Sequence, residues 1–242
     1  MPADATFPID HLNRLFRAFF WSNVLVGRYD QGFLSLFAAD LKELRALLLN
    51  HRQYASQSEW ARTLNAQLDA KIFSGETARL SEDALTELLK SGEVRGARRQ
   101  AITLFLLSRA KLDLVTGKPL DLQTEDRERK VQLHHIFPKQ WCVDNRSGHE
   151  VLKQDEQVVD SFANLVPLAA ESNNRWKSKA PATALQNFGI KYDANDPRFS
   201  NSFIDEKLFA KLTHAKPDPE SFWEDRARQM AKVLHDLQYV SG

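Results

Sequence analysis

Two adjacent histidines, His134 and His135, are followed by Asn164 and then, nine positions on, by Asn173. A neutral imidazole, with an ordinary pKa near 6.5, can take a proton from a water attacking phosphorus. Such a reaction also needs a cation to stabilise charge on the phosphoryl oxygens and the departing alkoxide. Neighbouring residues on a strand face opposite sides, so one histidine of the pair can hold metal while the other faces the scissile bond. Asn173 or Asn174 can supply a carbonyl oxygen, a hard donor suited to Mg²⁺ or Mn²⁺. Arg175, Lys177 and Lys179 follow directly, and Lys139 follows the histidines; such cations meet phosphates. Taken singly these signals are weak, because histidines pair by chance and asparagines form turns. Their order along the chain carries the reading: strand, His-His, loop, Asn, strand, helix, Asn.

The elements that must position them are legible nearby. Val131 and Leu133 alternate with polar neighbours, a short strand pattern. Leu165, Val166 and Leu168 predict a second strand, with Pro167 suiting an edge or a strand end. Residues 171–178 read as a short helix, and Pro181 opens another. A loop-rich stretch containing Gly148 is expected between the strands, to about Asp160. Phe137 and Pro138 read as loop packing, and Trp141 and Trp176 as core or support for the site, with base stacking as the alternative.

The preceding half reads as helices. Leu12, Leu15, Phe16, Phe19 and Phe20 recur at helical spacing, as do Phe37, Leu41, Leu44 and Leu48, and then Leu64, Leu68 and Ile72. Gly27, Asp30 and Gly32 mark a turn. Ser81 before Glu82 and Asp83 predicts an N-cap. A helix from about Arg95 to Val115 is expected to bury Ala101, Phe105, Ser108 and Leu112, and to stop at Thr116-Gly117-Lys118-Pro119. That stop, followed by a polar connection over residues 119–130, places a boundary between a helical region, 1–118, and a second domain, 119–242. Asp218 and Pro219 announce a closing helix with Phe222, Met230, Val233, Leu234 and Leu237 on its apolar face. Lys90, Arg95, Arg98, Arg99, Arg109 and Lys111 face only Glu93 in acid; they form either a solvated helix face or a patch in which Arg95, Arg98 and Arg99 touch phosphates.

Composition limits the rest. Hydrophobic residues make up 43% and charged residues 27%, with no apolar run of the ~20 residues a membrane span needs. A formal charge of +1 excludes the broad basic surface of a protein that coats nucleic acid, so any such contact is local. A single cysteine, Cys142, excludes an internal disulfide and a CxxC clamp, reads as a small buried hydrophobe, and suits a cytoplasmic location. The opening residues show no secretory signal pattern. His11, His51, His149, His214 and His235 fall in no such motif and are assigned no role.

The His134-His135 pair, Asn164 and Asn173 resemble the HNH, or ββα-metal, nucleases. Members carry an acidic residue or His before a His on the first strand, a central Asn, and a His or Asn on the helix, typically nine residues later. The resemblance implies a mainly α protein with a small ββα-metal core behind a helical N-terminal region. It makes His135 the general base, Asn164 the residue that orients it, and His134 and Asn173 the ligands of one divalent cation. Many members have His where this chain has Asn173, which shifts the expected metal from Zn²⁺ towards Mg²⁺ or Mn²⁺. One such site implies nicking of one DNA strand, with a 3′-oxygen leaving. Phe20-Trp21, Gly27-Arg28-Tyr29, Asp40-Leu41, the Thr-Gly-Lys, His-His-Ile-Phe-Pro-Lys and Ser178-Lys179-Ala180-Pro181 together resemble a narrower group. That group is the C-terminal nuclease region of GmrSD-type, modification-dependent restriction enzymes of phage defence. It implies double-stranded DNA, plain or modified, as substrate and an N-terminal NTPase or sensor domain as partner, this chain being the C-terminal part. The alternative is a catalytically inactive or gated DNA-binding or docking module of a defence complex.

Overall fold

Apolar residues at every third or fourth position give most of this chain helices, and the computed structural model describes residues 9–30, 33–49, 56–154 and 156–241. Gly32 and His51 lie outside the described residues. Among the described residues the protein is mainly helical, with one two-stranded sheet. It divides into two compact units, Met1–Leu85 with Lys232–Gly242, and Thr86–Ala231.

The first unit is built on α1 (Ile9–Val26), α2 (Phe33–Leu49) and α3 (Gln57–Lys71). Leu15, Phe19, Leu44, Trp60, Leu64, Leu68, Ile72 and Val240 share its core. The buried stripe of α1 is narrower than its periodicity suggests: Phe16 and Phe20 remain 44% and 50% exposed, while Ala18 is fully covered. Arg28 forks onto Asp40 at 2.8 Å on both arms, and the Tyr29 hydroxyl donates to the same carboxylate at 2.8 Å. This buried cluster uses the polar residues of the Gly27-Arg28-Tyr29 and Asp40-Leu41 segments internally. The chain's end returns here because Gln238 exchanges two hydrogen bonds with the Leu80 backbone.

The second unit carries the sheet. Helix α4 (Glu82–Lys90) starts at Ser81, whose Oγ accepts from Ala84 N as its N-cap reading requires. Helix α5 (Gly96–Arg109) buries Ala101, Ile102, Phe105 and Leu106, while Ser108 is exposed and Leu112 lies beyond its end. The helix stops ahead of the expected Val115 because the Asp113 carboxylate captures the N–H groups of Val115 and Thr116 in a turn of its own. Gly117 then adopts φ +69°, a left-handed conformation that a side chain would strain. The two compact units divide within α4, between Leu85 and Thr86, and α5 packs with β2.

Strand β1 (Val131–His135) pairs antiparallel with β2 (Leu165–Ala169), His134 opposite Val166 and His135 opposite Leu165. The stretch between them is not a loop but a run of short helical turns: α6 (Lys139–Asn145), α7 (Glu150–Gln154) and a 3₁₀ turn, Glu156–Asp160. They bury Cys142, Leu152, Val158 and Val159. After β2 come α8 (Ala170–Trp176), α9 (Pro181–Asn187), α10 (Pro197–Asn201), α11 (Glu206–Thr213) and α12 (Pro219–Leu237). Asp218 accepts from Ser221 N at the start of α12, and Phe222, Met230 and Leu234 on its inner face are fully buried.

Candidate active site

The two strands and α8 bring His134, His135, Asn164 and Asn173 onto one ββα unit. His134 and His135 alternate across β1, as adjacent strand residues must. His134 is 5% exposed, and its Nδ1 lies 2.6 Å from Asn173 Oδ1. Asn173 Nδ2 donates to Gln132 Oε1 at 2.6 Å, which turns the amide oxygen towards the histidine. Burial pushes the His134 pKa down to about 4, against the Asn173 contact and helped by His135, so the ring is neutral at physiological pH. Its Nε2 is buried without a hydrogen-bond partner, beside the Trp176 ring.

His135 faces the other way. Its Nε2 sits 2.8 Å from Asp160 Oδ1, and Lys139 Nζ donates to the same carboxylate at 2.8 Å. Burial lowers the His135 pKa, with Lys139 and Arg99 adding to the effect and Asp160 opposing it. For Asp160, burial works to raise the pKa, but the hydrogen bonds from Lys139 and His135 outweigh it and hold the carboxyl below its usual range. The pair at neutral pH is thus a neutral imidazole against a carboxylate. Asp160 escapes a reading of the sequence, which takes it only as the end of a loop; its place four residues ahead of Asn164 is the one available hint.

The hydrogen bonds of the Asn164 side chain go to backbone groups. Its fully buried side chain accepts from Phe137 N at 2.8 Å and donates to Phe137 O at 3.0 Å and Val159 O at 2.9 Å. One amide therefore ties the segment just after His135 to the segment just before Asp160. The backbone on either side of Asn164 is held in turn by Arg226 of α12, which is 0% exposed. Its guanidinium donates to the carbonyls of Phe162, Ala163, Leu165 and Ser202. Burial pushes the Arg226 pKa down to about 9, still high enough to keep it charged at pH 7.

Helix α8 is fixed from its N-terminal end. Ala170 N and Glu171 N donate to the carbonyls of Lys130 and Glu128, and Ser172 Oγ donates to Asp113 Oδ1 at 2.8 Å. Asp113 Oδ2 accepts from Ala169 N at 2.8 Å, so one buried carboxylate serves five donors. Asp113→Asn would turn an NH₂ towards some of those donors; a loss of about 2–3 kcal/mol is expected from urea unfolding. Full stability in that variant would refute Asp113 as the anchor of α8.

The basic residues separate into groups. Arg175 lies over the Phe188 ring at 5.0 Å, and with Lys177 and Lys179 it borders a shallow depression beside α8. Arg95 donates to the carbonyls of Gly92 and Val94 and to Gln157, and Lys90 pairs with Glu87 and Glu224. Gly92 is required there, since a Cβ would meet Gln157 O at 1.7 Å. Arg99 sits over Phe162 and near enough to His135 to act on its charge.

Among the described residues no group of three or more His, Cys, Asp or Glu is poised to hold a metal. His134 and Asn173 are the residues that would hold an ion here. The donor set fits a hard cation that keeps several waters and accepts substrate oxygens, and does not fit a closed structural zinc site. No helix among the described residues is long and apolar enough to cross a membrane.

No curated protein and no solved structure matches this chain. Residues 80–233, well over half of it and including every residue of the ββα site, match the C-terminal domain of GmrSD restriction endonucleases, and the chain belongs to that family.

Proposed function

We propose that this protein is a metal-dependent HNH endonuclease that nicks double-stranded DNA, with His135 as general base. The observation that carries the reading is the division of the histidine pair. His134 Nδ1 faces Asn173 Oδ1 at 2.6 Å on one side of β1, while His135 on the other side has a separate carboxylate partner. One Mg²⁺ or Mn²⁺ held by His134 and Asn173 would stabilise charge on the phosphoryl oxygens and on the leaving 3′-oxygen when bound. His135, neutral at pH 7, takes a proton from the attacking water. The water oxygen forms a bond to phosphorus as the bond from phosphorus to the 3′-oxygen breaks in line, and that oxygen takes a proton from solvent. Arg175 and Lys177 beside α8, with Arg98 and Arg99 of α5, contact backbone phosphates and hold the duplex. Lys139 and Arg95 have internal partners and join them only by giving those up. One site has one nucleophile, so a monomer cuts one strand. Membership of a restriction family supports a cytoplasmic role in defence against plain or modified phage DNA, with cleavage gated by an NTP-hydrolysing sensor domain.

Supercoiled plasmid incubated with Mg²⁺ or Mn²⁺ is expected to convert to open circle, and EDTA to stop it. Asn173→Ala removes one of two ligands and should raise the metal concentration needed for half-maximal rate at least tenfold. Cleavage that persists in EDTA would overturn the metal, and an unchanged metal requirement in Asn173→Ala would overturn the ligand. An inert native chain, on plain and modified DNA alike, would favour a purely binding role.

A further inference from the structure

The contact of His135 with Asp160 has a consequence for which ring nitrogen is basic. We propose that Asp160 is a positioning residue that holds His135 in the tautomer with its proton on Nε2, leaving the Nδ1 lone pair to receive the proton from water. The proposal deepens the reading of His135 as base and rests on it.

An ionised carboxylate has no proton to donate, so a 2.8 Å contact between Asp160 Oδ1 and His135 Nε2 requires the proton on Nε2. A neutral imidazole carries one N–H, and Nδ1 is then the acceptor. Lys139 Nζ, on the same carboxylate at 2.8 Å, keeps Asp160 ionised and limits its rotation. Geometry does the rest. The 3₁₀ turn Glu156–Asp160 ends in a Ser161 N to Val158 O bond at 3.0 Å, which sets the direction in which the Asp160 side chain leaves the backbone. Asn164 bonds both Val159 O, one residue before Asp160, and the Phe137 backbone, two residues after His135. The separation of carboxylate and imidazole is therefore fixed by one buried amide whose three hydrogen bonds reach both segments. The arrangement follows the general logic by which an acid holds a catalytic histidine in one orientation and stabilises the imidazolium it becomes. It also gives Lys139 a role other than contact with DNA.

Two measurements on the full chain test this. Long-range ¹H–¹⁵N correlation spectra, with His135 assigned by loss of its signals in His135→Ala, report the tautomer without any need for activity. Native protein should show the Nε2–H form, and Asp160→Asn, whose amide can donate to Nε2, should shift His135 towards Nδ1–H. A native spectrum of the Nδ1–H form would overturn the proposal. In the nicking assay Asp160→Asn should lower kcat about 10²-fold or more with KM unchanged. Native kcat in Asp160→Asn beside an inactive His135→Ala would overturn the role of Asp160 and leave His135 as base. Native kcat in both would overturn the base itself, and Asp160 with it.

Discussion

Alanine in place of His135 is expected to slow strand cleavage by about 10²–10⁴-fold, the range a positioned general base contributes. The fold should tolerate the change. His135 makes one hydrogen bond to a charged partner, worth about 1.5–3 kcal/mol, against the 5–15 kcal/mol by which a native domain is ordinarily stable. DNA affinity should stay close to native, because the ring is half-buried and the proposed phosphate contacts lie on Arg175, Lys177 and α5. His135→Gln sharpens the test: its amide can still donate to Asp160, yet it has no useful basicity. Single-turnover nicking by His135→Gln should be as slow as by the alanine variant. Cleavage near the native rate in either protein would mean that some other group takes the proton.

A larger effect on stability is expected at Arg226. Its guanidinium is fully buried and serves four backbone carbonyls, with no carboxylate paired to it among the described residues. Two effects oppose each other in Arg226→Met. Removing a buried charge relieves its desolvation, but the carbonyls of Phe162, Ala163, Leu165 and Ser202 lose their donor in a dry interior. The second should win, as it does when one partner of a buried polar set is deleted, at a cost of about 3–5 kcal/mol. For a unit of this size that is a fall in melting temperature of roughly 6–20 °C. Three of those carbonyls bracket Asn164, so cleavage at a temperature where the variant remains folded should fall as well. A melting temperature within about 2 °C of native would show that the carbonyls find other partners.

The ββα site is legible in the sequence because its parts lie close together and obey simple periods. Alternation marks β1, the spacing that the HNH resemblance supplies marks Asn164 and Asn173, and Pro181 and Asp218-Pro219 mark later helices. What escapes is contact made by the fold. Asp160 meets His135 across 25 residues, Asp113 meets Ser172 across 59, and Arg226 meets Ala163 across 63. No period within one element encodes such meetings. The helical turns between His135 and Asp160 escape for a different reason. Seven residues of α6 and five of α7 are too few to show a repeat, although Cys142 and Leu152 are buried. Helices α10 and α11 carried a usable signal, since Asp196-Pro197 and Asp205 cap them much as Asp218-Pro219 begins α12. Phe16 and Phe20 mislead in the opposite direction: an apolar stripe broader than the core shows what type of element forms, not which of its residues are covered.

The two halves of the site rest on unequal foundations. Asn164, Phe137 and Phe162, which carry the base side, have no exposed surface at all. Asn173 stands on a seven-residue helix that is anchored at its first turn, with Asn174 and Arg175 beside it open to solvent. In the proposed mechanism the fully covered side is the one along which a proton would pass, and the more open side is the one that would hold the ion. Divalent cations differ by a few tenths of an ångström in their bonds to oxygen, and a helix that can give by that much accommodates more than one of them without disturbing the angle at which His135 meets water.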